Sequence, residues 1–253
     1  LPPLTDDAAL EATRIHSVAG MLAPGGGLIR VPPFRAPHHS TSAPAVVGGG
    51  ATTPRPGEAS LAHHGVLFLD ELPEFARPVL ESLRQPLEDG VVTVSRVMGR
   101  AAFPARFQLV AAMNLCPCGA RGDPAAECAC TPERVHRYRV KLSRALLDRF
   151  DLTLAVPRAR AVELAGPPGE TSERVRNRVL DARRRLRDAE PPFGDDSQKL
   201  LTRAVERLPL SGRGRARVAR VATTIAALAA ADAVAPEHLA EALSYRSPRE
   251  LGE

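Results

Sequence analysis

Two adjacent carboxylates, Asp70 and Glu71, are the residues of this sequence best placed for chemistry. They follow four apolar residues, 66–69, without polar alternation, which is typical of a strand buried on both faces. Ligands of open α/β sheets bind beyond the carboxyl ends of the strands, and two acids there are costly unless a cation or substrate uses them. The pattern predicts phosphoryl-transfer chemistry, in which Asp70 holds Mg²⁺ and Glu71 polarises the attacking water. The alternative is that both acids only cap the next helix.

Further strands are needed to position these acids. Residues 107–113 form a second apolar run that ends at Asn114, and residues 151–156 form a third that is closed by Pro157. We predict helices between the strands, which makes the sheet parallel. Asn114 then matches Asp70 as a polar residue at the carboxyl end of a buried strand.

A helix and a hairpin are expected between these strands. Residues 78–88 carry apolar side chains on one face, and an Asp-Gly pair follows them. Residues 91–96 and 100–103 are two strand-like runs on either side of Gly99. They predict a β-hairpin with Arg96 and Arg100 near its tip.

The first sixty residues are less regular. Residues 1–20 predict a helix with Leu10, Ile15 and Val18 on one face, and residues 22–60 are a Gly- and Pro-rich loop or insert. No phosphate-binding loop of the Walker A type is present, because no Gly-rich stretch is followed by Gly-Lys-Ser or Gly-Lys-Thr.

The last third of the chain is predicted to be helical. A linker with Pro and Gly spans residues 158–170 and separates an α/β core, 1–157, from a small helical domain, 171–253. Four helices are expected in that domain: 171–188, 197–207, 212–231 and 236–246.

Composition is ordinary for a globular protein, with 44% hydrophobic and 25% charged residues among 253. No apolar run is long enough to cross a membrane and no export signal opens the chain, so we expect a cytoplasmic protein without a membrane partner. The net charge of +5 comes mainly from arginines crowded into the last third. They favour contact with nucleic acid or nucleotide, although GC-rich codon bias would also produce them.

All four cysteines lie within fifteen residues, as two C-x-C pairs: Cys116, Cys118, Cys128 and Cys130. Four thiolates at short spacing suit a structural tetrahedral Zn²⁺ site, with no open position for catalysis. The alternative is four reduced cysteines in a loop. Two histidine pairs, 38–39 and 63–64, are interpreted as polar loop contacts or hydrogen-bonded core residues.

Several stretches together resemble one family. They are Phe-Arg-Ala-Pro-His-His at 34–39, Gly-Glu-Ala-Ser-Leu-Ala-His at 57–63, residues 65–75, Met-Asn-Leu-Cys-Pro-Cys-Gly at 113–119, and Leu-Leu-Asp-Arg-Phe-Asp at 146–151. The chain resembles the magnesium-chelatase-like AAA+ proteins of the YifB/ComM type over nearly its whole length. The resemblance implies an α/β fold: an incomplete AAA+ parallel-sheet core with a pre-sensor-1 β-hairpin insertion, plus a small all-α lid domain.

The same resemblance implies roles in binding ATP and Mg²⁺. They are Walker B for Asp70 and Glu71, sensor 1 for Asn114, an arginine finger toward a neighbouring subunit for Arg149, and sensor 2 for Arg213, with Arg217 as the alternative. Arg149 could instead form a helix-end salt bridge with Asp148 or Asp151.

The resemblance also implies a DNA partner. In this family the hairpin at 91–106 and the insert around 44–58 would project toward the central pore of a hexameric ring. Arg96 and Arg100 would then contact the backbone of single-stranded or branched DNA, through contacts that weaken with salt.

The family carries a phosphate loop and a protease-like domain upstream of a segment like the start of this chain. Because the first residue is Leu1 and not Met, we expect a partial chain, with a natural ATPase-dead form as the alternative. This chain alone is expected to bind ATP poorly, since it lacks the amides and the lysine that grip phosphate.

Three functions therefore compete. The first is part of an ATP-hydrolysing ring motor acting on DNA, as in ComM-like branch migration during transformation and recombination. The second is a magnesium-chelatase-type motor subunit acting on a protein partner. The third is a zinc-stabilised, non-catalytic DNA-binding or assembly module.

Overall fold

The structure is a computed structural model that describes residues 1–208 and 210–246, without the side chain of residue 162. The chain forms two compact units, one from Leu1 to Arg149 and a second that begins at Phe150. None of the described helices has both the length and the apolar character needed to cross a membrane.

A parallel sheet of three strands forms the centre of the first unit. The sequence predicted the strands near residues 66–69 and 107–113, but the strand at residues 34–35 lies in the segment that was expected to be a loop. The strands of the sheet are β1 Phe34–Arg35, β2 Val66–Leu69 and, after the hairpin described next, β5 Gln108–Ala111, in the order β1-β2-β5. Leu69 pairs with Ala111 in a parallel register, so β2 and β5 end at the same edge. The β2 strand is buried because its leucines face the core of the unit.

The predicted hairpin is present as a separate two-stranded sheet. Strand β3, Val91–Arg96, pairs antiparallel with β4, Gly99–Pro104, through a turn at Val97 and Met98. Alternate side chains of β3 point to the core, and the tip stands in solvent.

Short helices surround the sheet. They are α1 Asp6–Val18, α2 Ala43–Val47, α3 Glu58–Leu61, a 3₁₀ turn Leu72–Glu74, α4 Arg77–Ser82, α5 Arg84–Asp89, α6 Pro132–Arg139 and α7 Arg144–Leu147. Side chains of Thr5, Thr131 and Ser143 accept hydrogen bonds from N–H groups in the first turns of α1, α6 and α7, which explains where those helices begin.

Two details of the predicted helices were wrong. The single helix expected at 78–88 is split into α4 and α5, because Pro86 has no N–H to donate to the carbonyl of Ser82. In α1, the buried side chains are Ala9, Ala12 and Ile15, whereas Leu10 and Val18 are exposed.

The third predicted strand, residues 151–156, is also wrong. The segment has no regular structure, and Leu154 and Val156 are 65% and 89% exposed. One backbone N–H, that of Thr153, donates to the carbonyl of Tyr245 within the second unit. An apolar run forms a strand only where a neighbouring strand accepts its hydrogen bonds, and the described residues place none there.

The second unit is helical, with α8 Ala161–Leu164 inside the predicted linker and four helices as predicted: α9 Ser172–Asp188, α10 Asp195–Arg207, α11 Gly212–Leu228 and α12 Pro236–Ser244. The small core contains Leu201, Val218, Ala222, Ala226, Val234, Leu239 and Ala242. The division of the chain into an α/β core (1–157), a linker (158–170) and a helical domain (171–253) remains a prediction.

Candidate functional site

The carboxyl edge of the sheet brings together three of the predicted residues. Asp70 and Glu71 follow β2 directly, and Asn114 lies three residues beyond the end of β5. The Leu72 N–H donates to the carbonyl of Ala112 at 2.9 Å, which ties the two strand ends together. All three polar side chains are exposed, although the strand that leads to the acids is buried.

The backbone at Glu71 turns sharply. Glu71 has a φ of 52°, in the left-handed region that few non-glycine residues adopt. Its N–H donates to Oδ1 of Asp70 at 2.9 Å, so the Asp70 carboxylate stabilises the turn. Such backbone strain at a strand end is typical of functional sites.

His39 is a contact that sequence reasoning did not connect to this site. Its Nδ1 lies 3.0 Å from Oε2 of Glu71. The imidazole packs against that of His38, with ring centroids 4.0 Å apart and the ring planes tilted by 35°, and it lies edge-on to Phe75. The expectation that His39 makes a polar loop contact is confirmed, and its partner is the predicted base. The signal available in the sequence was the stretch at 34–39, Phe-Arg-Ala-Pro-His-His, which is one of those that carry the family resemblance.

A second layer of contacts lies behind Asn114. Burial raises the pKa of Tyr138, and the nearby Glu74 carboxylate raises it further, although a hydrogen bond from the Asn114 N–H opposes the shift. Lys141 pairs with Glu74 at 3.2 Å and lies over the Tyr138 ring. Helix α6 and the residues after it thus fix the backbone at Asn114 relative to the 3₁₀ turn that follows Glu71.

Arg149 does not lie with these groups. Its guanidinium pairs with Glu88 and donates to the carbonyl of Ala145, and the side chain is 7% exposed. A salt bridge near a helix end was the predicted alternative, and the structure shows an ion pair of Arg149 with Glu88, a partner that the sequence did not suggest.

The path of the chain shows where Arg149 lies. Residues 74–88 and 141–149 run side by side, because Lys141 contacts Glu74, Ser143 contacts Glu81, and Arg149 contacts Glu88. Just after Glu88, Gly90 accepts a hydrogen bond from the Ala105 N–H, shortly before β5 begins. Arg149 is therefore on the side of the sheet where β5 starts, opposite the edge that carries Asp70 and Glu71.

The two candidate sensor arginines belong to α11 in the second unit. Arg217 lies near Asp151, with Nη1 3.5 Å from Oδ1, and its side chain is 16% exposed. Arg213 is exposed in the first turn of the helix, which Ser211 caps by accepting from the Gly214 N–H at 3.1 Å. Arg213 thus has the more accessible side chain.

The four cysteines converge as predicted. Sγ of Cys116 lies 3.3 Å from that of Cys118 and 3.6 Å from that of Cys128, and all four sulfur atoms lie within 4.8 Å of one another. Burial would raise the pKa of Cys116, but the Arg121 N–H and hydrogen bonds with the neighbouring thiols lower it to about 6. The arrangement can bind a thiophilic cation.

A second cluster joins Glu11 to the other histidine pair. Glu11 Oε2 lies 2.9 Å from Nε2 of His63 and 2.7 Å from Nε2 of His64. Because Nδ1 of His63 accepts the Arg106 N–H at 2.9 Å, the neutral ring carries its proton on Nε2 and donates it to Glu11. That tautomer leaves no nitrogen lone pair on His63 for a metal, so the cluster is a structural link between α1 and the start of β2. The expectation of a hydrogen-bonded core histidine is confirmed.

Replacing His63 with Ala should destabilise the first unit by about 2–4 kcal/mol, because it opens a cavity and removes the partner of the buried Arg106 N–H. Burial lowers the pKa of His63 below 6.5, and the histidine hydrogen bonds lower that of Glu11 from 4.5 to about 2. Because both pKa values are lower in the folded chain than in the unfolded chain, the unfolded chain binds more protons as the pH falls. The contribution of this cluster to the free energy of unfolding is therefore complete above about pH 6.5 and decreases at lower pH.

Thermal denaturation of the wild type and His63→Ala at about pH 7.5 and about pH 5 measures this effect. The variant should lose part of the pH dependence, whereas the exposed control His38→Ala should keep both stability and pH dependence. Equal slopes in wild type and His63→Ala would contradict the assignment.

Comparison with known proteins identifies the family. The family model described as magnesium chelatase, subunit ChlI, matches residues 1–164, and the model of the ChlI C-terminal part matches residues 169–246. The chain belongs to the magnesium-chelatase-like AAA+ family.

Three relatives in this family have similar sequence identity to the chain. The chain is 43% identical to the competence protein ComM of Haemophilus influenzae over 98% of its length, and 43% identical to the uncharacterized protein YifB of Escherichia coli over 98%. An uncharacterized protein of Mycobacterium tuberculosis, Rv2897c, is 44% identical over 97%. The alignments cover 51–52% of these proteins, so the chain spans about half the length of the curated relatives it matches.

The magnesium-chelatase-like family assignment confirms the resemblance derived from the sequence. The mixed α/β core with a small parallel sheet agrees with it. The individual roles of Asp70, Glu71, Asn114 and Arg149 remain predictions, supported by the shared sheet edge of the first three.

Proposed function

We propose that this chain is part of an ATP-hydrolysing ring motor that acts on DNA, as the ComM name of one relative suggests. The observation that carries the proposal is the shared edge of β2 and β5, where Asp70, Glu71 and Asn114 meet at the carboxyl ends of parallel strands. Asp70 would hold Mg²⁺ of the bound nucleotide, Glu71 would accept a proton from the attacking water, and Asn114 would orient it.

The residues present fit one half of such a site. Two exposed carboxylates beside an amide suit a hydrated Mg²⁺, which keeps several waters and takes only one or two protein ligands. The sequence contains no Gly-Lys-Ser or Gly-Lys-Thr loop to cradle the phosphates. The proposal therefore concerns the full-length natural protein.

The position of Arg149 supports ring assembly. A guanidinium on the side where β5 starts cannot serve the acids of its own sheet edge, but it suits a finger directed at the nucleotide of a neighbouring subunit. The ion pair with Glu88 would hold the Arg149 side chain against its own subunit until that neighbour is present. We propose a homo-oligomeric ring, with Arg213 or Arg217 as a further nucleotide contact from the helical unit.

Unwinding of a labelled branched DNA by the full-length protein tests this function. We expect strand separation that requires ATP and Mg²⁺ and is absent with Glu71→Gln. Restoration of magnesium insertion into a porphyrin in a chelatase-deficient strain, without any DNA unwinding, would instead support the chelatase-type motor. DNA binding that ignores both ATP and Glu71→Gln would support the non-catalytic module.

We also propose that the four cysteines bind structural Zn²⁺. A tetrahedron with Zn–S bonds of about 2.3 Å has edges of about 3.8 Å. The sulfur atoms of Cys116, Cys118 and Cys128 are 3.3–3.8 Å apart, and that of Cys130 lies within 4.8 Å of each of them. The cluster begins two residues after Asn114, so a closed Zn²⁺ site would stiffen the loop behind that side chain.

Zinc content tests this site directly. Native mass spectrometry of the reduced protein should find about one Zn²⁺ per chain, and Cys128→Ser should lose it because three thiolates bind the ion far more weakly. Ser60→Ala is a suitable control, since it removes a small buried hydroxyl of α3 that is not among the candidate ligands. A stoichiometry near zero in the reduced wild type would end the zinc proposal.

A further inference from the structure

The carboxylate of the predicted base, Glu71, contacts the imidazole of His39. Nδ1 of His39 lies 3.0 Å from Oε2 of Glu71. Because an ionised carboxylate only accepts hydrogen bonds, Nδ1 carries the proton and donates it to Oε2. The second oxygen, Oε1, is then able to accept from a further donor such as water. The Glu71 side chain is 55% exposed, so this contact selects one direction for a carboxylate that solvent alone would not orient.

Packing on two sides fixes the ring of His39. Its centroid lies 4.0 Å from that of His38 and 6.5 Å from that of Phe75, which is buried. His38 is itself tied to its own loop, because its Nδ1 accepts the Ser40 N–H at 3.3 Å. A donor that is held between a buried aromatic ring and an anchored neighbour can direct the carboxylate that it contacts.

The backbone alone does not orient the Glu71 carboxylate. A φ of 52° sets the direction in which the side chain leaves the chain, but the χ angles of an exposed glutamate remain free to rotate. A general base works only when its oxygen is within hydrogen-bond reach of the proton that it removes. Binding of Oε2 by His39 reduces that rotational freedom before the reaction begins.

We propose that His39 is the positioning residue for Glu71 in ATP hydrolysis: its Nδ1–H holds Oε2, and Oε1 accepts the proton of the attacking water. This inference rests on the proposed ATPase function and adds a residue that acts on the reaction only through the base. His39 contacts neither the nucleotide nor Mg²⁺ in this assignment. Its loss should therefore lower kcat and leave nucleotide affinity unchanged.

Steady-state ATP turnover and equilibrium nucleotide binding by the full-length protein test the assignment. His39→Ala should lower kcat by about ten- to a hundredfold, as expected when a reacting group is misplaced by about 1 Å, with KM and nucleotide affinity within about twofold of wild type. His39→Asn should recover most of the loss, because its Nδ2 lies as many bonds from Cβ as Nδ1 does. His39→Gln puts its amide nitrogen a bond farther away and should remain defective.

A double-mutant cycle separates positioning from a structural role. In Glu71→Gln protein, where the base is already lost, adding His39→Ala should change the residual turnover by less than about twofold. A loss in that background as large as in the wild type would show that His39 acts independently of Glu71 and would overturn the inference. His16→Ala is the matched control and should keep wild-type turnover, since it removes a half-buried imidazole whose Nδ1 bonds the carbonyl of Ala12 within α1 at 2.9 Å.

The two amide variants decide the question even if His39→Ala does not fold, which thermal denaturation of each variant would reveal. Equal turnover for His39→Asn and His39→Gln would overturn the inference, as would a wild-type kcat in His39→Ala. Either result leaves the proposed ATPase intact as long as Glu71→Gln strongly reduces turnover. If the wild type hydrolyses no ATP, or Glu71→Gln is as fast as wild type, the proposed function fails and this inference fails with it.

Discussion

Glu71→Gln in the full-length protein should reduce ATP turnover by about 10²–10⁴-fold while nucleotide binding persists, because Gln keeps the shape of the side chain but cannot accept a proton. The substitution leaves Asp70 in place, so Mg²⁺ binding should not change. Steady-state phosphate release and equilibrium binding of a labelled nucleotide separate the two effects.

Glu81→Gln is the matched control. It removes a carboxylate ten residues away, in α4, one that pairs with the exposed Arg84. Activity of this variant should stay within a few-fold of wild type. If Glu71→Gln turned over ATP at a rate comparable to the control, the role of Glu71 as base would be wrong.

Arg149→Ala should lower ATP turnover by about 10³-fold or more, the range seen when an arginine finger is missing. The physical reason is that the guanidinium would stabilise charge that develops on the transferred phosphoryl group in the neighbouring site. Mixing Arg149→Ala with Glu71→Gln subunits should restore part of the activity, since one kind of interface then has both an intact base and an intact finger.

The pairing of Arg149 with Glu88 supplies two controls. Glu88→Gln removes the partner but keeps the guanidinium, so turnover should be retained, whereas a purely structural salt bridge would make both variants equally defective. Arg144→Ala changes an exposed arginine of α7, the short helix that ends just before Arg149, and should have little effect. Mixtures that remain as inactive as their components would argue against action between subunits.

Local sequence was sufficient for much of the fold. Helices α9 and α11 begin within one residue of where they were predicted, because the N-caps Thr171 and Ser211 bond backbone groups only two or three residues away. The β3–β4 hairpin was predicted correctly for the same reason, since its two strands and its turn follow one another directly in the chain. In contrast, residues 151–156 have the composition of a buried strand but lack a partner strand among the described residues, which no local pattern could reveal.

The sequence by itself was sufficient to identify the family. It was also sufficient to place two acids after a buried strand and an amide after the next strand, and to show the cysteine spacing. Only the tertiary structure decided which groups meet across long separations: His39 with Glu71, Glu88 with Arg149, and Arg96 with the carbonyl of Gly50. The reason is that periodicity and capping depend on near neighbours in the chain. Long-range pairs depend on how the sheet and its helices pack, so identical residue types could have formed other pairs.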